Sequence, residues 1–168
     1  MNRHGNHPLN ERPLYSEFIA DFADLAALRL PSAHTVLLIV ADSAAVHTDI
    51  VSDAADHLFA SGLTYVCVWG PDCERVHDIF DEVYVGDGSS DPDYTFMSTW
   101  HADQPLDEAL WYFLYCAIPE ESELPTTSFV AVTVGSHDLA ASVESALADV
   151  PTFASRILAD ESQPTGNA

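Results

Sequence analysis

Two stretches of the chain, T-V-L-L-I-V-A at 35–41 and F-V-A-V-T-V at 129–134, are apolar at nearly every position. A strand with one face in water alternates apolar with polar residues, so uninterrupted apolar runs of this length mark strands covered on both faces. Strands of that kind belong to parallel sheets with helices above and below. The run L-T-Y-V-C-V-W at 63–69 has the same character.

The segments between these runs read as helices. Residues 14–30 place Leu14, Phe18, Phe22 and Leu25 on one face, ended by Pro31, which predicts an N-terminal amphipathic helix. Asp42 and Ser43 are placed to cap a helix ended by Gly62, with Val46, Ile50, Ala54 and Leu58 inward and Asp49, Asp53 and Asp56 outward. Gly70-Pro71-Asp72 opens a helix expected to run to Phe80. A strand is expected at 83–85, ending in the turn-rich segment 86–92 that holds Asp87. Residues 94–100 look extended, as a strand or an ordered crossover, and the short link before them favours an edge position or antiparallel pairing. A further helix spans 105–118, stopped by Pro119, with a loop over 120–125, and Ser136 caps a last helix running to Asp149.

The resulting expectation is an α/β fold: a three-layer Rossmann-like sandwich with a mainly parallel sheet of four to five strands, plus the N-terminal helix. Residues 1–13 are expected to be a flexible N-terminus and 14–150 a single domain. Residues 151–168 would form a tail with one helical turn, largely disordered from about 161.

Charge excludes more functions than it suggests. The 168 residues hold 27 Asp and Glu against five Arg and no Lys, a formal charge of −22. A Walker-type phosphate loop, a Schiff-base enzyme and a lysine-switched phospho-acceptor each need a lysine. Direct nucleic-acid binding lacks the cations that neutralise phosphates, and anionic membrane surfaces repel such a chain. After the first apolar run comes V-A-D-S-A-A-V-H, with no glycine turn for a pyrophosphate, so no dinucleotide cofactor is expected. No apolar stretch reaches the eighteen or so residues of a membrane span, and no signal-peptide pattern opens the chain. Three cysteines without regular spacing point to a reducing cytoplasm.

In parallel sheets ligands bind beyond the carboxyl ends of the strands. There the sequence puts Asp42 and Ser43, then Cys73, Asp87, His101 and Asp103, then His137 and Asp138. Helix capping accounts for Asp42, Ser43, Asp103 and Ser136 as well as any ligand does. Cys73 stands near a helix start, where free amides favour a thiolate, and His77 follows one turn later. A cysteine-dependent hydrolase or transferase would use Cys73 as nucleophile, His101 or His137 as base and Asp103 or Asp138 as orienter. The same side chains lack any recognised metal-ligand spacing, so no metal is expected.

The segment L-D-E-A-L-W-Y-F-L-Y-C-A-I at 106–118 suggests a different function. Leu106, Leu110, Phe113, Leu114 and Ala117 share one face, and Trp111, Tyr115 and Ile118 share another with Tyr112 beyond. The second face is covered either by the N-terminal helix or by another protein, a homodimer partner or a different chain. The acid excess reads as solvation, as adaptation to high salt or as docking of a basic protein, with association then fading in salt.

The stretches W-G-P-D-C-E-R-V-H-D at 69–78, S-T-W-H at 98–101 and L-D-E-A-L-W-Y-F-L at 106–114 resemble a family of small uncharacterised bacterial α/β domains over residues 35–150. The resemblance implies the fold and no activity. The leading expectation is therefore an acidic protein-interaction domain without nucleotide binding, such as an immunity or accessory protein of a bacterial conflict system, with the cysteine enzyme as the alternative.

Overall fold

The computed structural model describes residues 1–86, 95–118 and 127–161. In chain order it contains β1 (Asn2–Asn6), β2 (Pro13–Ile19), a 3-10 helix (Phe22–Ala27), β3 (His34–Val40), α1 (Thr48–Ala60) and β4 (Leu63–Trp69). Then follow α2 (Cys73–Val85), β5 (Met97–His101), α3 (Leu106–Tyr115), β6 (Thr127–Val134), α4 (His137–Ala148) and α5 (Val150–Glu161). The strands form one six-stranded sheet in the order β1-β2-β6-β3-β4-β5. Among the described residues only β1 is antiparallel to its neighbour.

The apolar runs make the sheet's centre, and strand alternation sends their side chains into two cores. Leu37, Ile39, Val66, Val68, Val130 and Val132 face the 3-10 helix, α1 and α2. Val36, Leu38, Val40, Tyr65, Cys67, Phe129 and Ala131 face α3, α4 and α5. From β3 the chain steps outward through β4 to β5, and α3 then carries it back to β6 on the other side of β3.

The N-terminal third departs from expectation. Residues 14–30 do not form a helix: Leu14 to Ile19 run in register alongside Phe129 to Val134 of β6. Apolar residues at 14, 15, 18 and 19 satisfy both a helical stripe and a two-faced strand, and the hydrogen-bonding edge of β6 decides between them. Asp21 then caps the 3-10 helix, accepting from Ala23 N while Asp24 accepts from Asp21 N. Residues 1–13, expected as a flexible N-terminus, contain a strand of the sheet. β1 pairs with β2, the N-terminal ammonium pairs with Glu17, and His7 is buried.

Three further boundaries differ, and one expectation holds. The strand expected at 83–85 is the last turn of α2, because Val76, Phe80, Val83 and Tyr84 continue one apolar helical face into the core. Asp87 lies outside the described residues, and no strand precedes it. Asp42 and Ser43 do not cap α1; His47 does, its Nδ1 accepting from Asp49 N. β5 takes the edge position that the short link before it allowed, paired parallel to β4 with α2 as the crossover. Beyond Asp149, α5 runs for 12 residues where one turn was expected, since Pro151 suits a first turn and Phe153 and Ile157 reach the core. Tyr94, Pro119, the loop at 120–125 and the tail from 162 lie outside the described residues.

Candidate functional site

The carboxyl ends of β3 and β4 are tied to each other by the backbone. Ala41 N donates to Trp69 O (3.0 Å), Ser43 N to Pro71 O (3.0 Å) and Cys73 N to Gly70 O (3.2 Å). Gly70 sits at φ +116, and a Cβ there would lie 2.1 Å from Ala41 O. Arg75 completes the knot, donating to Asp72 Oδ2 (2.6 Å), Ser43 O (2.8 Å) and Val46 O (3.1 Å). The cation nearest this strand end therefore holds two loops together and is not turned toward a ligand. Asp42 is exposed and accepts from Ala44 N, while Ser43 is buried with no hydrogen-bond partner for its hydroxyl among the described residues.

Cys73 opens α2 fully buried. Burial pushes its thiol up, against the pull of the backbone N–H groups of His101, Gly70, Cys73 and Glu74. A helix start lowers a thiol only where water also reaches it, and here the desolvation wins. His77 does not turn to Cys73. Its Nε2 faces Ser98 Oγ (2.9 Å) and Asp81 Oδ2 (3.5 Å), its Nδ1 faces Asp78 Oδ1 (3.1 Å), and Trp100 lies against its ring at 4.5 Å.

Strand alternation separates the remaining residues of the cysteine reading. Ser98 and Trp100 of β5 point to the α2 side, so Thr99 and His101 point to the α3 side. Cys73 meets the backbone of His101, and the imidazole is on the other face of the sheet. Gln104 is the orienter of that ring; Asp103 is exposed. His137 begins α4 and stacks on Phe18 of β2 at 4.1 Å, four strand spacings from β5, or about 19 Å. Among the described residues no group of three or more His, Cys, Asp or Glu could hold a metal ion.

The structure does assemble a polar and aromatic cluster where β4 and β5 end beneath α3. His101 Nδ1–H donates to Gln104 Oε1 (2.7 Å), which leaves Nε2 to accept, facing the Thr99 hydroxyl at 3.3 Å. The Trp69 indole N–H donates to Gln104 O (2.8 Å). Tyr112 packs on the His101 ring at 4.9 Å, and its hydroxyl meets that of Tyr65 at 3.1 Å. Burial and that hydroxyl hold the Tyr65 phenol above its ordinary value. Gln104, Trp69 and Tyr65 were not singled out from the sequence. The readable signal was a histidine ending a strand with a glutamine three residues on.

A groove of about 170 Å³ lies above this cluster, lined by Gln104, Glu108, Trp111, Tyr112 and Ile157. The four aromatic-face residues have separate fates. Tyr112 turns inward, Trp111 and Tyr115 are half-buried and stacked on each other at 5.5 Å, and Ile118 is exposed. The N-terminal helix expected to cover them does not exist. Its place is taken in part by α5, through Ile157, and by His7, whose ring lies 6.3 Å from that of Tyr115.

The chain belongs to the family described as a domain of unknown function, DUF7684, whose model matches residues 16–150. No curated protein and no solved structure matches it. No helix among the described residues is long and apolar enough to cross a membrane.

Proposed function

With membership of that family as premise, we propose that the chain is an acidic protein-interaction domain that binds a basic partner through the α3 groove. The groove carries the reading. Trp111 and Tyr112 offer aromatic surface beside the Glu108 carboxylate, which is the environment that takes an arginine or lysine side chain by cation–π attraction and ion pairing together. A charge of −22 repels a second copy and steers a cationic protein toward the same surface. The scaffold is read as a Rossmann-like sandwich used without a nucleotide. The loop after β3 lacks glycine, and Arg75 is committed to the loops. A basic toxin or nuclease of a bacterial conflict system is the class of partner this surface suits.

The test is calorimetric titration of a short arginine-containing peptide into the wild type, Trp111→Ala and Glu108→Gln, at about 0.05 and 0.5 M salt. Trp111→Ala should weaken binding about 10-fold or more, and high salt should abolish it. Equal affinity in all three proteins would reject the groove as the binding surface.

A further inference from the structure

The two edges of the sheet differ in kind. β1 carries Arg3, a break in register between Arg3 and Asn6, and Gly5 at φ +98, devices that hinder another strand from adding to it. β5, M-S-T-W-H, contains no Lys, Arg, Asp, Glu or Pro and pairs with β4 in unbroken register from Tyr65↔Met97 to Trp69↔His101. Among the described residues its only strand partner is β4. Among the described residues its outer edge therefore presents backbone N–H and C=O groups without the charges, proline or bulge that guard other edges.

β5 is also held in place. Ser98 Oγ donates to Asp81 Oδ1 (2.5 Å) and meets His77 Nε2, so α2 fixes the strand from one side. Trp100 rests one face on His77 yet remains 47% exposed. Beside it on α2 stand the side chains of Asp78, 65% exposed, and Asp81, 46% exposed. A rigid, uncharged strand edge flanked by carboxylates and one exposed indole is complementary to an extended segment with cationic and apolar side chains. At its far end β5 leads through His101 and Gln104 to the α3 groove on the other side of the sheet.

We propose that β5 accepts an extended basic segment of a protein partner as a seventh strand, its Lys or Arg side chains meeting Asp78 and Asp81. Main-chain hydrogen bonds would supply affinity, and the alternate side chains specificity. The proposal rests on the partner-binding reading for the charge of the occupant and differs from it in the surface used.

The test uses the full chain and the peptide acetyl-Lys-Val-Lys-Thr-Lys-Val-Lys-amide, with a second version N-methylated at every residue so that neither edge carries an N–H. Charge is the same in both, and only the first can complete a strand. The expected result is at least about 10-fold weaker binding of the methylated peptide and slowed amide exchange within β5 on binding the unmodified one. Trp100→Lys, which charges the edge at an exposed side chain, should weaken binding similarly with an unchanged circular dichroism spectrum. Equal binding of the two peptides, unchanged exchange in β5 or no binding at low salt would each overturn strand addition. Trp111→Ala reports on the groove separately: binding that depends on Trp111 without protection of β5 keeps the groove and rejects the strand, and the reverse keeps the strand.

Discussion

The ring of His7 donates from Nε2 to the carbonyl of Leu114, 107 positions away near the end of α3. Its Nδ1 accepts from Leu9 N (3.2 Å), and the ring stacks on Phe129 of β6 at 4.6 Å. Both nitrogens are thus satisfied only by the neutral ring, and protonating Nδ1 would break the bond from Leu9. Burial holds the imidazole below its ordinary value, outweighing the Leu114 carbonyl, and Arg12 adds to the lowering.

The sign of the resulting pH dependence follows from linkage. Below pH 6.5 the unfolded chain takes up a proton at this position before the folded one does, so stability falls as pH drops from about 6.5 toward the lowered folded value. The slope is at most about 1.4 kcal/mol per pH unit for one proton. Urea unfolding of wild type and His7→Gln between pH 7.5 and 5 should show the difference shrinking as pH falls. A constant gap would mean that His7 takes up its proton at the same pH in the folded and the unfolded chain.

Gly70 makes a second prediction. Gly70→Ala puts a methyl group 2.1 Å from a backbone oxygen at a φ of +116, so β3 and β4 must part or the turn must deform. The expected loss is about 3 kcal/mol, read as a lower urea midpoint at unchanged slope. A loss under about 1 kcal/mol would show that the turn relaxes without cost.

What the sequence revealed depended on whether local pattern and tertiary partner agreed. The runs at 35–41, 63–69 and 129–134 are apolar on both faces, which only a central strand satisfies, and they form β3, β4 and β6. Residues 14–19 fit two periodicities, and the choice lay with β6, over a hundred residues away. Ser136 capped its helix as read, because a serine before a helix start acts locally. The strand-end site was legible as a location and not as a set of partners. Whether His101 meets Cys73 or Tyr112 depends on the alternation phase of β5, which S-T-W-H alone does not fix.

Thiol reactivity follows from burial. Cys67 is buried with its pKa pushed up to about 12, Cys73 is buried with its thiol also raised, and Cys116 is exposed. Iodoacetamide at pH 8 should therefore label Cys116 first, and native Cys116→Ser should take up almost no label until urea unfolds it. Burial raises the Cys116 thiol too, so its own rate should still be climbing at pH 9. Fast labelling of Cys73 in the native variant would show an accessible thiolate and restore the nucleophile reading.

The contact between His77 and Ser98 ties the edge strand to α2, and its loss should be felt locally. Ser98 Oγ bridges His77 Nε2 and Asp81 Oδ1, so Ser98→Ala leaves a nearly buried ring nitrogen and a carboxylate without their shared partner. The cost of such a vacancy is about 1–3 kcal/mol. Because β4 is the one strand beside β5 among the described residues, that cost should appear mainly as local opening and less as global unfolding. Hydrogen exchange in Ser98→Ala should be about 10-fold or more faster at β5 amides, with β3 and β6 unchanged. Uniform acceleration across the sheet would mean that β5 opens only with the whole domain.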